Sequence, residues 1–296
     1  MTLEELYRQG VAGLIPGETA ALDARALLLR ASGLSLFEYL RDPARPADGR
    51  LEARYRRWIR LRREGLPVSY LTGEREFWSL PFEVGPGVFI PRPETELLVE
   101  LVLERTNGRG PARLLDVGTG SGCIALTLAS ERPQACIWGL DVSPAALRAA
   151  RRNGKRLFPD RMKRGREGEI RVLRSDHFSA LKRIRPRPLF DVIVSNPPYV
   201  SADEWESLEP EVKNFEPQEA LVPGATGLEA LSLIIRESPS YLKSGGWLVL
   251  ELGAEQADNV LRDFAEGWRD VALHRDLRGL PRAVSARWEA PSEFGV

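Results

Sequence analysis

Arg113-Leu114-Leu115-Asp116-Val117-Gly118-Thr119-Gly120-Ser121-Gly122-Cys123 is the stretch that decides the fold. Residues 113–117 read as a short apolar strand and residues 123–130 as a helix, so the glycines fall on the turn between them. Glycine lets the backbone take positive φ and approach a ligand closely, and the carboxyl end of a strand is where open α/β sheets bind ligands. The spacing is Gly-x-Gly-x-Gly, not the Gly-x-Gly-x-x-Gly of dinucleotide sites. Asp116 stands two residues before the first glycine. A carboxylate there repels a pyrophosphate but suits a cationic ligand such as a sulfonium amino acid. By itself the stretch is also compatible with a tight structural turn.

Working outward, strand and helix patterns alternate. Strands are predicted at 137–140, 170–173, 190–195, 247–252, 271–275 and 283–288, and helices at 144–153, 227–242 and 254–265. The strand at 190–195 is continuously apolar, the kind buried on both faces of a parallel sheet. Such alternation predicts an α/β doubly wound sheet. Residues 159–169 read as an exposed loop. Toward the N-terminus, residues 1–75 read as a small helical domain, with apolar residues at helical spacing over 18–29 and 51–62. Residues 76–91 take extended character, from Phe77, Trp78, Leu80, Phe82 and Val84 to Val88, Phe89 and Ile90. With Gly85-Pro86-Gly87 as the turn, they predict a linking β-hairpin. Residues 92–296 then form the α/β domain, opening on a helix near Thr95 and Glu96.

Composition narrows the class. At 296 residues the chain has room for one large and one small core, and 43% hydrophobic with 28% charged residues is a soluble globular composition. It has no apolar run long enough to span a membrane, and its acidic, amphipathic start is unlike a secretory signal. Two cysteines and two histidines are too few for a zinc site or a disulfide scaffold, which fits a reducing cytoplasm. The 42 basic residues are matched by 42 acidic ones, which argues against nucleic acid as the main partner.

Several further residues carry candidate chemistry. Asp141 ends the second predicted strand about 20 residues past the glycines, where an acidic side chain accepts hydrogen bonds from ribose hydroxyls. The alternative, a helix cap, is weaker because Ser143 offers the same. Asp176, in Ser175-Asp176-His177-Phe178 after the third strand, is placed to accept a bond from an exocyclic adenine amine or to cap a turn. The fourth strand ends in Asn196-Pro197-Pro198-Tyr199. Two prolines remove two backbone donors and lock the chain, leaving fixed carbonyl acceptors. Asn196 adds a side-chain acceptor and Tyr199 a π face. Together they suit a planar NH2 group, with acceptors for its hydrogens and a ring to stack on its plane. Adenine and a carboxamide both offer such a group.

With these motifs in view, the chain resembles the peptide chain release factor N5-glutamine methyltransferases, the PrmC or HemK family. The resemblance rests on the Asp-x-Gly-x-Gly loop, on Asn196-Pro197-Pro198-Tyr199 and on Ile90-Pro91-Arg92-Pro93-Glu94-Thr95-Glu96. Tyr70-Leu71-Thr72-Gly73-Glu74, Phe77-Trp78, Ser175 to Leu181, Glu216-Pro217 with Ala220-Leu221, and His274-Arg275-Asp276-Leu277 extend it over about residues 20 to 289. It implies a class I S-adenosylmethionine-dependent methyltransferase fold, a Rossmann-like sheet of seven strands with an N-terminal helical domain and a β-hairpin between them. It implies methyl transfer from S-adenosylmethionine to the glutamine side-chain amide in the Gly-Gly-Gln loop of class 1 release factors.

Carried over by position, Gly118, Thr119, Gly120, Ser121, Gly122 and Asp141 hold the cofactor, with Asp176 and His177 near its adenine. His177 stands where some family members have tryptophan. Asn196 touches cofactor and substrate, and Pro197, Pro198 and Tyr199 complete the glutamine pocket. Asn196, Pro197 and Tyr199 are the expected catalytic set, with no metal. The helical domain is the expected docking module, and its Arg54, Arg56, Arg57, Arg60, Arg62 and Arg63 either meet an acidic partner or are a solvated face. A monomer acting in the cytoplasm on a protein, without direct nucleic-acid or membrane contact, completes the expectation. The competing readings are a nucleic-acid methyltransferase acting on adenine and a non-catalytic interaction protein on the same fold.

Overall fold

The computed structural model describes residues 1–108, 110–163 and 168–290. The chain divides into two compact units. One comprises Met1–Glu74, Val84–Pro86 and Glu209–Phe215; the other comprises Arg75–Glu83, Gly87–Leu208 and the described residues from Glu216 onward.

Local signals explain the first unit. Thr2 and Glu5 form a reciprocal capping box that starts α1 (Leu3–Gly13), satisfying N–H groups that a helix end leaves unpaired. The helix α2 (Ala20–Ser32) stops at Gly33, whose φ of 72° accommodates the left-handed C-cap. Ser35 and Glu38 cap α3 (Leu36–Arg41), Asp48 caps α4 (Gly49–Arg63), and α5 (Val68–Thr72) follows. Leu3, Leu6, Ala24, Leu27, Leu28, Tyr39, Tyr55 and Ile59 form the core. The Tyr55 hydroxyl donates to the Ala24 carbonyl at 3.1 Å. A Cβ at Gly10 would lie 1.8 Å from that hydroxyl oxygen, so α1 packs against Tyr55 only because residue 10 has no side chain.

In the second unit, β1 (Glu74–Phe77) and β2 (Leu80–Glu83) form a hairpin. Its turn is Trp78-Ser79, both with positive φ (52° and 58°), not the predicted Gly85-Pro86-Gly87. Positive φ at both positions is the two-residue turn geometry that matches strand twist without a glycine-only first position. Trp and Ser do not advertise that conformation. The Trp78 N–H donates to Glu96 at 2.7 Å and the Trp78 indole to Glu131 at 2.9 Å, contacts that hold the turn from outside. Residues 88–90 lie in no strand.

A 3-10 turn at Pro93–Thr95 leads into α6 (Glu96–Arg105). Then follow β3 (Arg113–Val117), α7 (Cys123–Glu131), β4 (Cys136–Asp141), α8 (Pro144–Leu157), β5 (Ile170–Arg174) and β6 (Phe190–Ser195). Short helices α9 (Ala202–Ser207) and α10 (Pro210–Phe215) precede α11 (Glu229–Glu237). The strand β7 (Leu242–Glu251), helix α12 (Ala257–Arg262) and strands β8 (Trp268–Arg275) and β9 (Pro281–Trp288) close the chain. The helix predicted to reach residue 242 ends earlier, where Pro239 stands in a 3-10 turn and β7 begins at Leu242. Of the predicted loop at 159–169, residues 164–167 lie outside the described residues.

Among the described residues seven strands form one sheet in the order β5-β4-β3-β6-β7-β9-β8. Pairs up to β6–β7 are parallel, and β9 runs antiparallel to both β7 and β8. Alternate residues face opposite sides. Leu114, Val192, Val194 and Val249 pack with Leu98, Val102 and Ile124 in one core; Leu115, Val117, Ile193, Leu248 and Leu250 pack with Leu231, Ile234 and Val260 in the other. The sheet is therefore covered on both faces, as the alternation of elements requires. The strand order reverses direction between β3 and β6, which opens the crevice at their carboxyl ends.

Candidate active site

Strand register brings the predicted residues to one edge. Val117 pairs with Leu140 of β4 and with Ser195 of β6, and Leu140 pairs with Leu173 of β5. The residues that follow those strand ends, Gly118, Asp141, Asp176 and Asn196, therefore emerge at the same carboxyl edge. A cavity of about 420 Å³ opens there, within the usual range for small-molecule sites. Of the predicted residues, Gly118, Gly120, Asp141, Asp176, His177, Pro197 and Pro198 line it, whereas Thr119, Ser121, Gly122, Asn196 and Tyr199 do not.

The glycine loop explains part of that division. Gly118, Gly120 and Gly122 have φ of 74°, 57° and 85°. The N–H groups of Gly118 and Thr119 both donate to the Leu140 carbonyl at 2.8 Å, tying the loop to β4. A Cβ on Gly120 would meet nothing nearer than the Gly118 carbonyl at 4.0 Å, so this glycine leaves open space above the loop. At Gly122 an added Cβ would meet Leu126 at 3.1 Å and Ala150 at 3.3 Å, so this one serves helix packing.

The Asp116 carboxylate does not line the cavity. It is fully buried, accepts from the Thr119 hydroxyl at 2.6 Å and from the Ala125 N–H at 3.3 Å, and so clamps the loop onto α7. Burial pushes it up to about 7, and its Oδ1 has no protein partner. The side chain read from sequence as facing a cation thus holds the loop that shapes the cavity.

Asp141 uses both carboxylate oxygens in positioning: Oδ2 accepts from the Gly120 N–H and Oδ1 from the Ser143 N–H, each at 2.8 Å. A carboxylate oxygen has further lone pairs, so Asp141 keeps acceptor capacity toward the cavity. Burial raises its pKa, opposed by those N–H donors. Ser143 itself caps α8, which frees Asp141 from that task. His177 has a φ of 44°, and its Nδ1 lies 2.7 Å from Asp176 Oδ1.

Asn196 leads into a buried polar chain. Its Nδ2 donates to Thr95 Oγ1 at 3.0 Å, Thr95 donates to Glu251 Oε2 at 2.7 Å, and the Tyr199 hydroxyl donates to Glu251 Oε1 at 3.1 Å. Burial pushes Glu251 up to about 7, against the Thr95 and Tyr199 hydrogen bonds and the charge of Arg282. Burial raises Tyr199 as well, and its ring packs on the core that holds Leu231 and Ile234. Thr95 and Glu251 are absent from the sequence-derived set. Glu251 carries the same signal as Asp141 and Asn196, a polar residue ending an apolar strand, and β7 pairs with β6 so that Leu250 lies beside Ser195.

Asn153 escaped the sequence reading, and Glu216 was read only as part of a motif, without a role. Asn153 on α8 accepts from the Glu83 N–H at 2.8 Å and donates to the Glu83 and Ser121 carbonyls at 3.1 and 2.9 Å, joining hairpin and glycine loop. Glu216 accepts from the Ile90 N–H at 3.1 Å and is ion-paired with Arg92, whose guanidinium sits 4.8 Å from the centre of the Phe89 ring. Phe89 and Pro217, the chain neighbours of Ile90 and Glu216, line the cavity. The Ile90 to Glu96 and Glu216-Pro217 motifs, distant in sequence, thus meet. No group of residues able to hold a metal occurs among the described residues.

The sheet order and the site at its carboxyl edge define a class I methyltransferase fold. A crystal structure of a methyltransferase from Pyrococcus furiosus superposes with a TM-score of 0.52 at 20% identity, covering 73% of this chain and 91% of that one. Residues 82–209 match the methyltransferase small domain and residues 5–73 the PrmC N-terminal domain. Relatives named release factor glutamine methyltransferase include one from Burkholderia pseudomallei, 43% identical over 90% of this chain and 92% of its own length. Another, from Koribacter versatilis, is 39% identical over 97% of this chain and 99% of its length. The chain belongs to the release factor glutamine methyltransferase family.

Proposed function

We propose that this protein transfers the methyl group of S-adenosylmethionine to the side-chain amide nitrogen of the glutamine in the Gly-Gly-Gln loop of class 1 peptide chain release factors. The observation that carries the reading is the state of the Asn196 carboxamide. Its NH2 is engaged by Thr95, which leaves the carboxamide oxygen as the acceptor, and Pro197 and Pro198 directly after it line the cavity.

The cavity suits the cofactor. Open space above Gly120, the acceptor capacity of Asp141 and the walls formed by Leu140, Val142 and Ala146 match a loop crossing, a ribose and an adenine. Gly118, Gly120, Asp141, Asp176 and His177 would line it, while Thr119, Ser121 and Gly122 shape the loop from beneath. When bound, S-adenosylmethionine supplies an electrophilic methyl group on a sulfonium.

The chain's own residues supply alignment. A carboxamide nitrogen is a poor nucleophile because its lone pair is delocalised, so catalysis depends on holding it in line with the methyl group. Hydrogen bonds from the substrate NH2 to Asn196 Oδ1 and the Pro197 carbonyl orient it and stabilise positive charge as it develops on nitrogen. Pro197 and Pro198 keep that geometry rigid, and Tyr199 backs the pocket.

The helical unit is the docking module in this reading, since a glutamine pocket alone cannot select one loop. The protein acts as a monomer, in the cytoplasm, on a protein and not on nucleic acid. The matched acidic and basic residues support that choice, and no helix among the described residues is long and apolar enough to cross a membrane.

Mass spectrometry of a release factor incubated with enzyme and S-adenosylmethionine tests the proposal. One added methyl on the loop glutamine is expected, with labelled-methyl transfer to DNA and RNA at background. Label in nucleic acid with an unmodified release factor would overturn it. Asn196→Ala should reduce turnover at least about 100-fold with the fold retained, and near-normal methylation by that variant would remove Asn196 from the mechanism.

A further inference from the structure

Glu251 and Thr95 do not line the cavity and have no task so far, yet both are buried and joined to two residues of the Asn-Pro-Pro-Tyr motif. An ionised carboxylate only accepts hydrogen bonds, whereas a threonine hydroxyl has one proton to donate. Thr95 gives its proton to Glu251 Oε2 at 2.7 Å, so toward Asn196 its oxygen can only accept. That selects the Asn196 NH2, found at 3.0 Å, and turns the carboxamide oxygen the other way. A protonated Glu251 could reverse each direction. It would donate to Thr95, Thr95 would donate to Asn196, and the carboxamide would present NH2 where an acceptor is needed.

We propose that Glu251 is a positioning residue that acts through Thr95, fixing which end of the Asn196 carboxamide faces the substrate while its other oxygen holds the Tyr199 hydroxyl. The inference rests on the proposed role of Asn196 as acceptor for a substrate NH2. The groups facing Glu251 are Tyr199 after β6, Arg282 on β9, Glu94 in the turn before α6, and Cys123 at the start of α7. Tyr199 and Cys123 are both raised by burial, Cys123 to about 12, so neither ionises near neutrality. Glu251, pushed up to about 7, is the member of this set that changes charge there.

The test compares Thr95→Val, Thr95→Ser and Glu251→Gln with the wild type on an intact release factor, following kcat, KM and its pH dependence, with cofactor affinity by calorimetry. Thr95→Val removes the hydroxyl at similar volume and should lower kcat at least about tenfold, with KM and cofactor affinity within about twofold. Thr95→Ser restores the hydroxyl and should recover most of that loss. The wild type should lose kcat as pH falls through about 7, and Glu251→Gln, which cannot titrate, should lack that acid limb. Equal kcat in Thr95→Val and Thr95→Ser, or an acid limb that survives in Glu251→Gln, would overturn the inference. If Asn196→Ala lowers turnover and these variants do not, the relay fails while the proposed function stands. A wild type that leaves glutamine unmethylated defeats the function itself.

Discussion

Asp116 and Asp141 show how neighbouring carboxylates in one loop system divide labour. Asp141 retains acceptor capacity toward the cavity, whereas Asp116 is enclosed and clamps the glycine loop. Asp141→Ala should weaken S-adenosylmethionine binding by about 10- to 100-fold, the usual worth of hydrogen bonds to a charged acceptor. Calorimetry checks this, and unchanged affinity would take Asp141 out of the site. Asp116 and Glu251 make a different prediction. Both are pushed up to about 7 from ordinary values of 3.8 and 4.5. From those ordinary values up to about pH 7 the folded protein then holds more protons than the unfolded chain, so this stability is full only below about pH 4 and is lost progressively as pH rises. Denaturant midpoints across that range should decline, and Asp116→Asn should flatten the decline. A midpoint that climbs with pH would contradict the burial of these groups. At this scale the sequence showed Asp141, Asn196 and the glycines, because each follows a recognisable strand end. The direction in which Asp116 points was not legible, since it depends on Thr119 and Ala125 reaching it first.

Single elements were read well wherever apolar periodicity was long. The predicted strands at 113–117 and 190–195 coincide with β3 and β6, and the helices opening at 123 and 144 with α7 and α8. The hairpin turn was misplaced because Trp78 and Ser79 adopt positive φ under the hold of Glu96 and Glu131, a tertiary constraint with no local signature. The short helices α9 and α10 were missed for the related reason that they bury little and have no apolar stripe. Helix packing in the first unit gives a sharp test at this scale. Gly10 lies on α1 where Tyr55 leaves no space for a methyl group. Gly10→Ala removes a poor helix former, which by propensity alone stabilises a helix by about 1 kcal/mol. Overpacking against a buried, hydrogen-bonded tyrosine outweighs that and should leave a net loss of about 1–2 kcal/mol. Thermal or urea unfolding decides it, and a gain in stability would show that α1 can move away from Tyr55.

For the whole molecule, the question is how the proposed chemistry selects one glutamine. The basic face of α4 is smaller than its sequence suggests. Arg62 is ion-paired with Asp23 at 2.8 Å and with Glu211, and Arg54 donates to the Ala31 carbonyl, so both are tied within the helical unit. Arg57, Arg60 and Arg63 stay exposed. If that face docks an acidic surface, reversing Arg57 and Arg60 to glutamate should raise KM for the release factor about tenfold and lower its salt sensitivity, with cofactor affinity unchanged. Unchanged KM would make the arginines a solvated helix face. The sequence by itself determined the alternating sheet, the glycine turn after β3 and the Asn-Pro-Pro-Tyr motif after β6, because hydrophobic periodicity and proline or glycine backbone limits are local properties. Only the tertiary structure decided the rest. It turned Asp116 inward, joined Arg92 to Glu216 and linked Asn196 to Glu251 through Thr95. Three of those pairings span more than a hundred residues of chain, Arg92 with Glu216, Thr95 with Asn196 and Thr95 with Glu251, and no local pattern encodes them. Buried polar groups must find partners, and which partner is within reach is known only once the strands have packed side by side.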